Sequence, residues 1–239
     1  MLTFSVPLYV LKRRAKAHAR AHGIPLHAGL DHIAQGEGFA AWSHLVQAAE
    51  RTRPARTLLA RLHNGDCVLL AARPGQGKTL LGLELLIEAT AAGRGAWFFS
   101  LESTPAEVAG RLRALGVDPT AMQPGFQVDC SDAISAEYLV AQLAAAHAGT
   151  VVVLDYLQIL DQPRRLPPLS EQLRTLSTFC RARGLVLVAL SQVDRHYDHT
   201  RDGLPSVRHI RQPNPIDLSL FQSACFLHEG KLQHRAIHG

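Results

Sequence analysis

The chain has 239 residues, of which 47% are hydrophobic and 19% are charged, an ordinary composition for a globular protein of one or two domains. No apolar run approaches the roughly 18 residues that a membrane-spanning helix needs, which argues against a membrane protein. The apolar N-terminal stretch precedes its basic residues instead of following them, and this order disfavours a secretory signal. The four cysteines form no C-x-x-C pair, so we expect buried free thiols in a cytoplasmic protein.

Positive charge is concentrated in the N-terminal quarter of the chain. Residues 1–61 hold nine Lys/Arg and three Asp/Glu, a net charge of +6. The remaining residues hold 16 Lys/Arg and 17 Asp/Glu, a net charge of −1. Such a shift is typical of a separate unit that faces a polyanion, although a solvated helix face would give the same counts. The N-terminal quarter is therefore a candidate nucleic-acid-binding unit.

Three short helices are predicted in this basic quarter. Apolar residues recur at helical spacing in three groups, which lie at residues 8–19, 26–33 and 39–46 and are separated by glycines and a proline. We expect a small three-helix unit over residues 1–50, with Trp42 in its core. The segment RTRPAR, residues 51–56, is expected to be a linker at the start of a second domain over residues 51–239.

From residue 65 onwards, predicted strands alternate with predicted helices. The continuous apolar runs CVLLAA, AWFFSL, TVVVLD and LVLVAL are typical of strands that are buried on both faces. The helix TPAEVAGRLRALG has a clear start, with Thr104 as the N-cap, Pro105 at the first position and Glu107 at the third. This alternation predicts an α/β fold with a mostly parallel central sheet flanked by helices, and a ligand site at the carboxyl ends of the strands.

A phosphate loop is predicted directly after the first of these strands. The segment AARPGQGKTL matches the pattern G-x-x-x-x-G-K-[ST] at Gly77, Lys78 and Thr79, with Ala72 in place of the first glycine. Gly75 and Gly77 permit a backbone nest for an anion, and the helix that follows adds the positive end of its dipole. We expect Lys78 to bind the β- and γ-phosphates of ATP and Thr79 to bind Mg²⁺. The predicted nucleotide-binding residues are Ala72, Arg73, Pro74, Gly75, Gln76, Gly77, Lys78, Thr79 and Leu80.

Polar side chains close three further predicted strands. Asp155 ends VVVLD, where a Walker B carboxylate holds magnesium. Glu102 follows AWFFSL, a strand that we expect beside the phosphate-loop strand, and it is suited to polarising the attacking water. Gln192 ends LVLVALSQ, where an uncharged amide is suited to sensing the γ-phosphate by hydrogen bonding. Four polar strand ends are thus predicted along one edge of the sheet.

Together these motifs resemble a known family. AARPGQGKT, FFSLES, VVVLDYLQIL and LVLVALSQVDR are similar to the motifs of the ATPase domain of DnaB-type replicative helicases, within the RecA-like superfamily of P-loop NTPases. D-Y-L-Q is the narrowest of these signatures, and alanine at the position of Ala72 is usual in that family. The resemblance covers about residues 55–228. It implies ATP and Mg²⁺ as ligands, Glu102 as the catalytic glutamate, Thr79 and Asp155 as magnesium ligands and Gln192 as the γ-phosphate sensor.

The same resemblance implies a partner and an assembly. It implies a DNA-dependent ATPase that acts on single-stranded DNA in replication or in plasmid or phage maintenance, within a homo-oligomer that is a hexamer in the family. The candidate DNA-contacting residues are Arg195, Arg201, Arg208 and Arg211, although a solvated loop would contain them equally well.

The sequence departs from the family pattern at three places. Asp194 stands where the family usually has the asparagine of S-Q-L-N-R, and QPNPIDLSLFQSA replaces an acidic, glycine-containing stretch of the loop that grips DNA. The K-Q-R-N-G segment, which carries an arginine finger for the neighbouring subunit, has no counterpart in FLHEGKLQHRAIHG, because Arg235 follows the strand too closely. These departures put the DNA-gripping loop and the hexamer in question.

Two functions therefore remain open from the sequence. The first is a DNA-dependent ATPase of the helicase type, in which the N-terminal unit contacts DNA or a partner. The second is a nucleotide-gated DNA- or protein-binding switch or loader that does not unwind DNA. A small-molecule kinase fits poorly, because D-Y-L-Q and S-Q are foreign to it and no arginine-rich lid segment is evident.

Overall fold

A computed structural model describes residues 8–51, 54–122, 124–160, 167–194, 196–197, 205–211 and 216–237. The helices in these ranges are α1 (Leu8–His22), α2 (Leu26–Gly36), α3 (Trp42–Arg51), α4 (Pro54–Leu59), α5 (Lys78–Ala91), α6 (Pro105–Ala114), α7 (Ala136–Gln142) and α8 (Leu169–Arg183). The strands are β1 (Cys67–Ala72), β2 (Ala96–Ser100), β3 (Phe126–Asp129), β4 (Val151–Asp155), β5 (Val186–Gln192), β6 (Ser223–His228) and β7 (Lys231–Ala236). None of these helices has the length and apolar character needed to cross a bilayer.

The three N-terminal helices lie where the apolar periodicity predicts them. Their small shared core consists of Leu11, Ala34 and Leu45. Helices α1 and α2 approach closely because α2 has no side chain at Gly29, where an added Cβ would come within 2.8 Å of the carbonyl oxygen of Ala15. Trp42 packs against this core and is half-buried, so it borders the core instead of filling it.

The prediction of a linker at residues 51–56 is wrong for its second half. Helix α3 extends to Arg51, and α4 begins at Pro54. Proline is well suited to the first position of a helix because its φ is already helical and its missing N–H has no partner to lose there. Ala55 and Leu58 then lie on one side of α4 and are buried in the core beneath the central sheet.

The seven strands of the described residues form one sheet in the order β3-β2-β4-β5-β1-β6-β7. Every neighbouring pair is parallel except β6 and β7, which form an antiparallel hairpin. Successive residues of β1 face opposite sides, so Leu69 lies in one apolar core and Leu70 in the other. Helix α8 contributes Leu173 to the first core, and α5 contributes Leu85 to the second. The predicted α/β fold with a mostly parallel sheet is confirmed.

The expectation that the strand before Glu102 lies beside the phosphate-loop strand is wrong. The neighbours of β1 are β5 and β6, whereas β2 pairs with β3 and β4. Strands β4 and β5 therefore lie between β2 and β1. Every residue of β4 and nearly every residue of β5 is buried, and such continuously apolar strands favour the centre of a parallel sheet.

The cysteines are free thiols, as expected. Cys67, Cys180 and Cys225 are buried and Cys130 is half-buried. Burial raises the pKa of Cys180 and of Cys225 to about 12. These two thiols therefore stay protonated at neutral pH and behave as small apolar residues.

Candidate nucleotide site

The phosphate loop joins β1 to α5 at the carboxyl edge of the sheet. Ala72, the last residue of β1, is buried, which accounts for a small residue at this position. Gly75 and Gly77 have φ values of +79° and +87°, in the left-handed region that favours glycine. Gly77 caps α5, so the unpaired N–H groups of the first helical turn follow the loop directly. Of the other predicted residues, Arg73, Pro74 and Gln76 lie in the loop and Thr79 and Leu80 lie in the first turn of α5.

The ammonium group of Lys78 lies between two predicted site carboxylates. Its Nζ atom is 3.1 Å from Oδ1 of Asp155 and 3.8 Å from Oε2 of Glu102. The side chains of Lys78 and Asp155 are 10% and 1% exposed, whereas that of Glu102 is 45% exposed. The start of α5, the end of β4 and the turn after β2 therefore converge. The adjacent order of β2, β4, β5 and β1 explains this convergence, although β2 and β1 do not touch.

Tyr156 is a component of the site that the sequence interpretation did not single out. The Nζ atom of Lys78 lies 5.4 Å from the centroid of the Tyr156 ring, a distance typical of a cation–π contact. Burial raises the pKa of Tyr156, and the nearby carboxylates of Glu102 and Asp155 raise it further. The peptide bond between Asp155 and Tyr156 is cis. The signal for this residue was the D-Y-L-Q signature itself.

Asp155 has the donor character that a magnesium ion requires. Its second carboxylate oxygen, Oδ2, is buried and has no hydrogen-bond partner among the residues that the structure describes. Such an oxygen is costly to bury unless a proton donor or a cation satisfies it. Mg²⁺ prefers carboxylate and hydroxyl oxygens, and the half-buried Thr79 offers a hydroxyl in the first turn of α5. The residues present therefore fit the ion that the motifs imply.

Gln192 is joined to the chain segment that ends at Arg211. The backbone N–H of Arg211 donates to the carbonyl oxygen of Gln192 at 2.7 Å, and Val193 forms an antiparallel bridge with Ile210. The Arg211 side chain also donates, from Nη1 to Oε1 of Gln192 at 3.3 Å. Of the four arginines predicted to contact DNA, Arg208 and Arg211 are exposed in this segment, and Arg195 and Arg201 lie outside the described residues.

Asp194 closes a turn directly after β5. Its Oδ1 atom accepts a hydrogen bond from the backbone N–H of His196 at 2.8 Å and lies 2.8 Å from Nδ1 of the same residue. These hydrogen bonds to His196 lower the pKa of Asp194, and the charge of Arg211 lowers it further. Asparagine carries an Oδ1 acceptor at the same place, so either residue closes this turn.

The turn between β6 and β7 contacts the phosphate loop. The backbone N–H of Glu229 donates to Oε1 of Gln76 at 2.8 Å. Glu229 and Gly230, with φ values of +47° and +74°, form the two-residue loop between the paired residues His228 and Lys231. The sequence interpretation missed this contact because nothing local links positions 153 residues apart.

The stretch QPNPIDLSLFQSA does not run as an exposed loop in its described part. Residues 212–215 lie outside the described residues. Ile216 and Phe221 are buried, and Gln222 exchanges hydrogen bonds with the backbone of Cys67 at the beginning of β1. Residues 216–222 therefore pack at the edge of the sheet opposite the phosphate loop.

Comparison with known proteins places this site in a wider family. A family model described as "ATPase: KaiC" matches residues 28–212. The replicative DNA helicase DnaB of Rickettsia bellii (strain RML369-C) is 24% identical over 196 residues, which cover 65% of this chain and 39% of the helicase. A probable plasmid replicative DNA helicase of Chlamydia trachomatis is 26% identical over 216 residues, which cover 74% of this chain and 48% of that protein. The chain thus spans less than half the length of these relatives.

Solved structures share the fold. One of them, an isolated ATPase domain, has a TM-score of 0.59 at 20% identity, and the match covers 77% of this chain and 81% of that domain. A DnaB-like replicative helicase, whose title adds its interactions with primase, has a TM-score of 0.57 at 19% identity, over 91% of this chain and 66% of its own. The KaiC-like protein PH0186 from Pyrococcus horikoshii OT3 has a TM-score of 0.54 at 17% identity, over 73% and 80%. With its RecA-like P-loop fold and a family match that spans the phosphate loop, Asp155 and Gln192, this chain belongs to the KaiC ATPase family.

Proposed function

We propose that this protein binds ATP with Mg²⁺, hydrolyses it, and couples hydrolysis to single-stranded DNA in the manner of DnaB-like helicases. The observation that carries the proposal is the convergence of Lys78, Asp155 and Glu102 at the ends of adjacent strands, within 3.8 Å of the Lys78 ammonium. A buried cation and a buried carboxylate with a free oxygen next to a phosphate loop suit a metal–triphosphate ligand.

Each residue has a separate role in the proposed hydrolysis. Lys78 binds the β- and γ-phosphate oxygens, and Asp155 and Thr79 hold Mg²⁺, which offsets phosphate charge when bound. Glu102 is half-exposed and only loosely paired, so it is accessible to a water molecule and can accept its proton. The water oxygen bonds to the γ-phosphorus, and the bond from that phosphorus to the β–γ bridging oxygen breaks. ADP and inorganic phosphate leave, while Gln192 donates an amide hydrogen bond to the γ-phosphate.

The proposed DNA partner is supported by the relatives and by the surface of α1. The relatives that match are replicative DNA helicases by name. Helix α1 contains no acidic residue, and its lysine and arginine side chains are all exposed. Such a surface attracts phosphates and releases their counterions on binding. The exposed basic residues of α1 are Lys12, Arg13, Arg14, Lys16 and Arg20.

The same relatives support a homo-oligomer as the working form and DNA replication or plasmid maintenance as the setting. The free thiols are consistent with a reducing, cytoplasmic location. The link from Gln192 to residues 205–211 would also serve a nucleotide-gated switch, in which ATP changes the conformation of that segment without unwinding. Unwinding is therefore the measurement that separates the two functions.

The test uses the full chain and four measurements. ATP turnover is followed with and without Mg²⁺ and with and without single-stranded DNA, alongside native mass with ATP and unwinding of a forked duplex. Turnover that DNA stimulates, together with unwinding, supports the helicase function. Turnover without unwinding supports the switch. Absence of Mg²⁺-dependent turnover and of ATP binding would contradict both.

A further inference from the structure

The side-chain amide of Gln192 has a defined direction. Nη1 of Arg211 lies 3.3 Å from Oε1 of Gln192. A guanidinium group has only hydrogen-bond donors, so the atom that faces it must be the amide oxygen and not the amide nitrogen. The amide NH₂ group is consequently turned away from Arg211, where it remains available as a donor.

The backbone holds Arg211 in place beside Gln192. Two backbone hydrogen bonds of 2.7 Å flank the contact, one from Arg211 N–H to Gln192 and one from Asp194 N–H to His209. Between them lies the Val193–Ile210 bridge, and both of these side chains are buried. The Arg211–Gln192 contact therefore belongs to an ordered extension of β5, in which the position of the guanidinium is set by the same chain.

The charge of Arg211 acts on the nucleotide site. Burial, Glu102 and Asp155 raise the pKa of Tyr156, and Arg211 acts in the opposite direction. Tyr156 is the residue whose ring lies 5.4 Å from Nζ of Lys78. The guanidinium therefore lies near enough to the carboxylates and the lysine to influence the same region electrostatically.

We propose that Arg211 is a positioning residue that acts within its own subunit on the proposed γ-phosphate sensor. By binding Oε1 of Gln192, Arg211 presents the amide NH₂ group to the oxygens of the γ-phosphate. The inference rests on the proposed function, since it requires that ATP occupies the site. ADP has no γ-phosphate, so Arg211 should strengthen binding of ATP and leave binding of ADP unchanged.

Nucleotide affinity gives the first test. Dissociation constants for a non-hydrolysable ATP analogue and for ADP are measured by titration calorimetry for the wild type, R211A and R211K. We expect R211A to weaken binding of the analogue by about five- to tenfold, the scale of one hydrogen bond, and to change binding of ADP less than twofold. R211K retains a charged donor and should recover part of the loss. An equal loss for both nucleotides, or no loss for either, would overturn the proposal.

Two matched measurements control for folding and for a general charge effect. R181A removes an arginine that is exposed at the end of α8, next to Gly65 and before β1, and should leave both affinities unchanged. Thermal unfolding of R211A should match that of the wild type; if it does not, R211K supplies the same comparison with the charge kept. If the wild type binds neither nucleotide, the proposed function fails, and that result differs from every outcome expected of the variants.

Coupling between the two residues gives the second test. If Arg211 acts through Gln192, the double variant R211A/Q192A should bind the ATP analogue no more weakly than Q192A alone. Additive losses would show that Arg211 acts independently of the amide and would contradict the proposal.

Mixing of subunits tests whether the action is within one chain. R211A subunits are mixed with K78A subunits, which keep Arg211 but lack the phosphate-loop lysine, and ATP turnover is measured. No recovery above the turnover of R211A alone is expected. Recovery would mean that Arg211 acts on the neighbouring subunit, and it would overturn the assignment.

Discussion

Lys78 and Asp155 form a buried ion pair, with 3.1 Å between Nζ and Oδ1, that joins the start of α5 to the end of β4. The two residues are 77 positions apart, and each neutralises the other where little water is present. Removing one partner of such a pair is costly because the other charge stays buried. The pair therefore links the phosphate loop to the carboxylate that we assign to magnesium.

Lys78→Ala should abolish detectable ATP binding and turnover, because the variant lacks the cation for the β- and γ-phosphates. It should also lower the free energy of unfolding by about 3–5 kcal/mol, since Asp155 loses its buried partner. The double variant Lys78→Ala/Asp155→Asn should recover much of this stability and none of the binding. Nucleotide titration and urea unfolding check both parts. Wild-type turnover in the single variant would remove the phosphate-loop assignment.

Glu102→Gln should keep the affinity for ATP and lower turnover roughly 100-fold, a loss typical of removing a general base. Its stability should match that of the wild type, because Glu102 is half-exposed and lies 3.8 Å from Lys78. Asp155→Asn should instead raise the Mg²⁺ concentration needed for half-maximal turnover. Normal turnover of Glu102→Gln would assign activation of the water to another group.

Gln76→Ala should weaken nucleotide binding by about fivefold, because the loop loses the hydrogen bond from the backbone of Glu229. Glu229→Gly is the matched control, since it keeps the backbone N–H and places glycine at a φ of +47° that favours it. The control should bind nucleotide as the wild type does. If both variants lose affinity equally, the Glu229 side chain and not its backbone supports the loop.

Thr104→Ala should destabilise the protein by about 1 kcal/mol, the usual cost of losing an N-cap. Thr104 and Glu107 form a reciprocal capping box at the start of α6, in which the Thr104 backbone donates to Glu107 at 2.8 Å and the Glu107 backbone donates to Thr104 at 3.3 Å. Urea unfolding at pH 7 measures the difference. A variant as stable as the wild type would show that the cap contributes nothing in this chain.

The same capping box predicts a pH dependence. Hydrogen bonds from the backbone and hydroxyl of Thr104 lower the pKa of Glu107. A carboxyl group whose pKa is lowered on folding stabilises the protein above its unfolded pKa, and this contribution is lost as the pH falls through the folded value. The stability difference between the wild type and Glu107→Gln should be constant from pH 7 to about pH 5 and shrink at lower pH. A difference that grows on acidification would contradict this origin.

Removing three charges from α1 should weaken salt-sensitive binding of single-stranded DNA. The variant R13Q/R14Q/K16Q should reduce the slope of log affinity against log salt by about 2, if each residue contacts one phosphate. The variant R113Q/R181Q/K231Q removes the same charge from exposed positions on α6, on α8 and in β7, and it should keep the slope. Fluorescence anisotropy of labelled DNA measures both. Equal slopes for the two variants would direct the N-terminal helices to a protein partner.

Local sequence determined the helices, the strands and the motif residues of this protein. Helical periodicity, the capping box of Thr104 and Glu107 and the buried strand runs each depend on residues a few positions apart, and they predicted their elements. The phosphate loop and the acid after an apolar strand likewise carry their chemistry in short segments, so Lys78 and Asp155 could be paired with roles before any contact was known.

Tertiary structure alone decided which of these segments meet. The order of strands places β4 and β5 between β2 and β1, yet Glu102 still reaches Lys78 because all four strands end at one edge. The contacts of Glu229 with Gln76 and of Arg211 with Gln192 join elements that no local pattern relates. Pairing between distant segments depends on how the whole chain buries its apolar faces and satisfies its backbone, and neither quantity is contained in any short stretch of sequence.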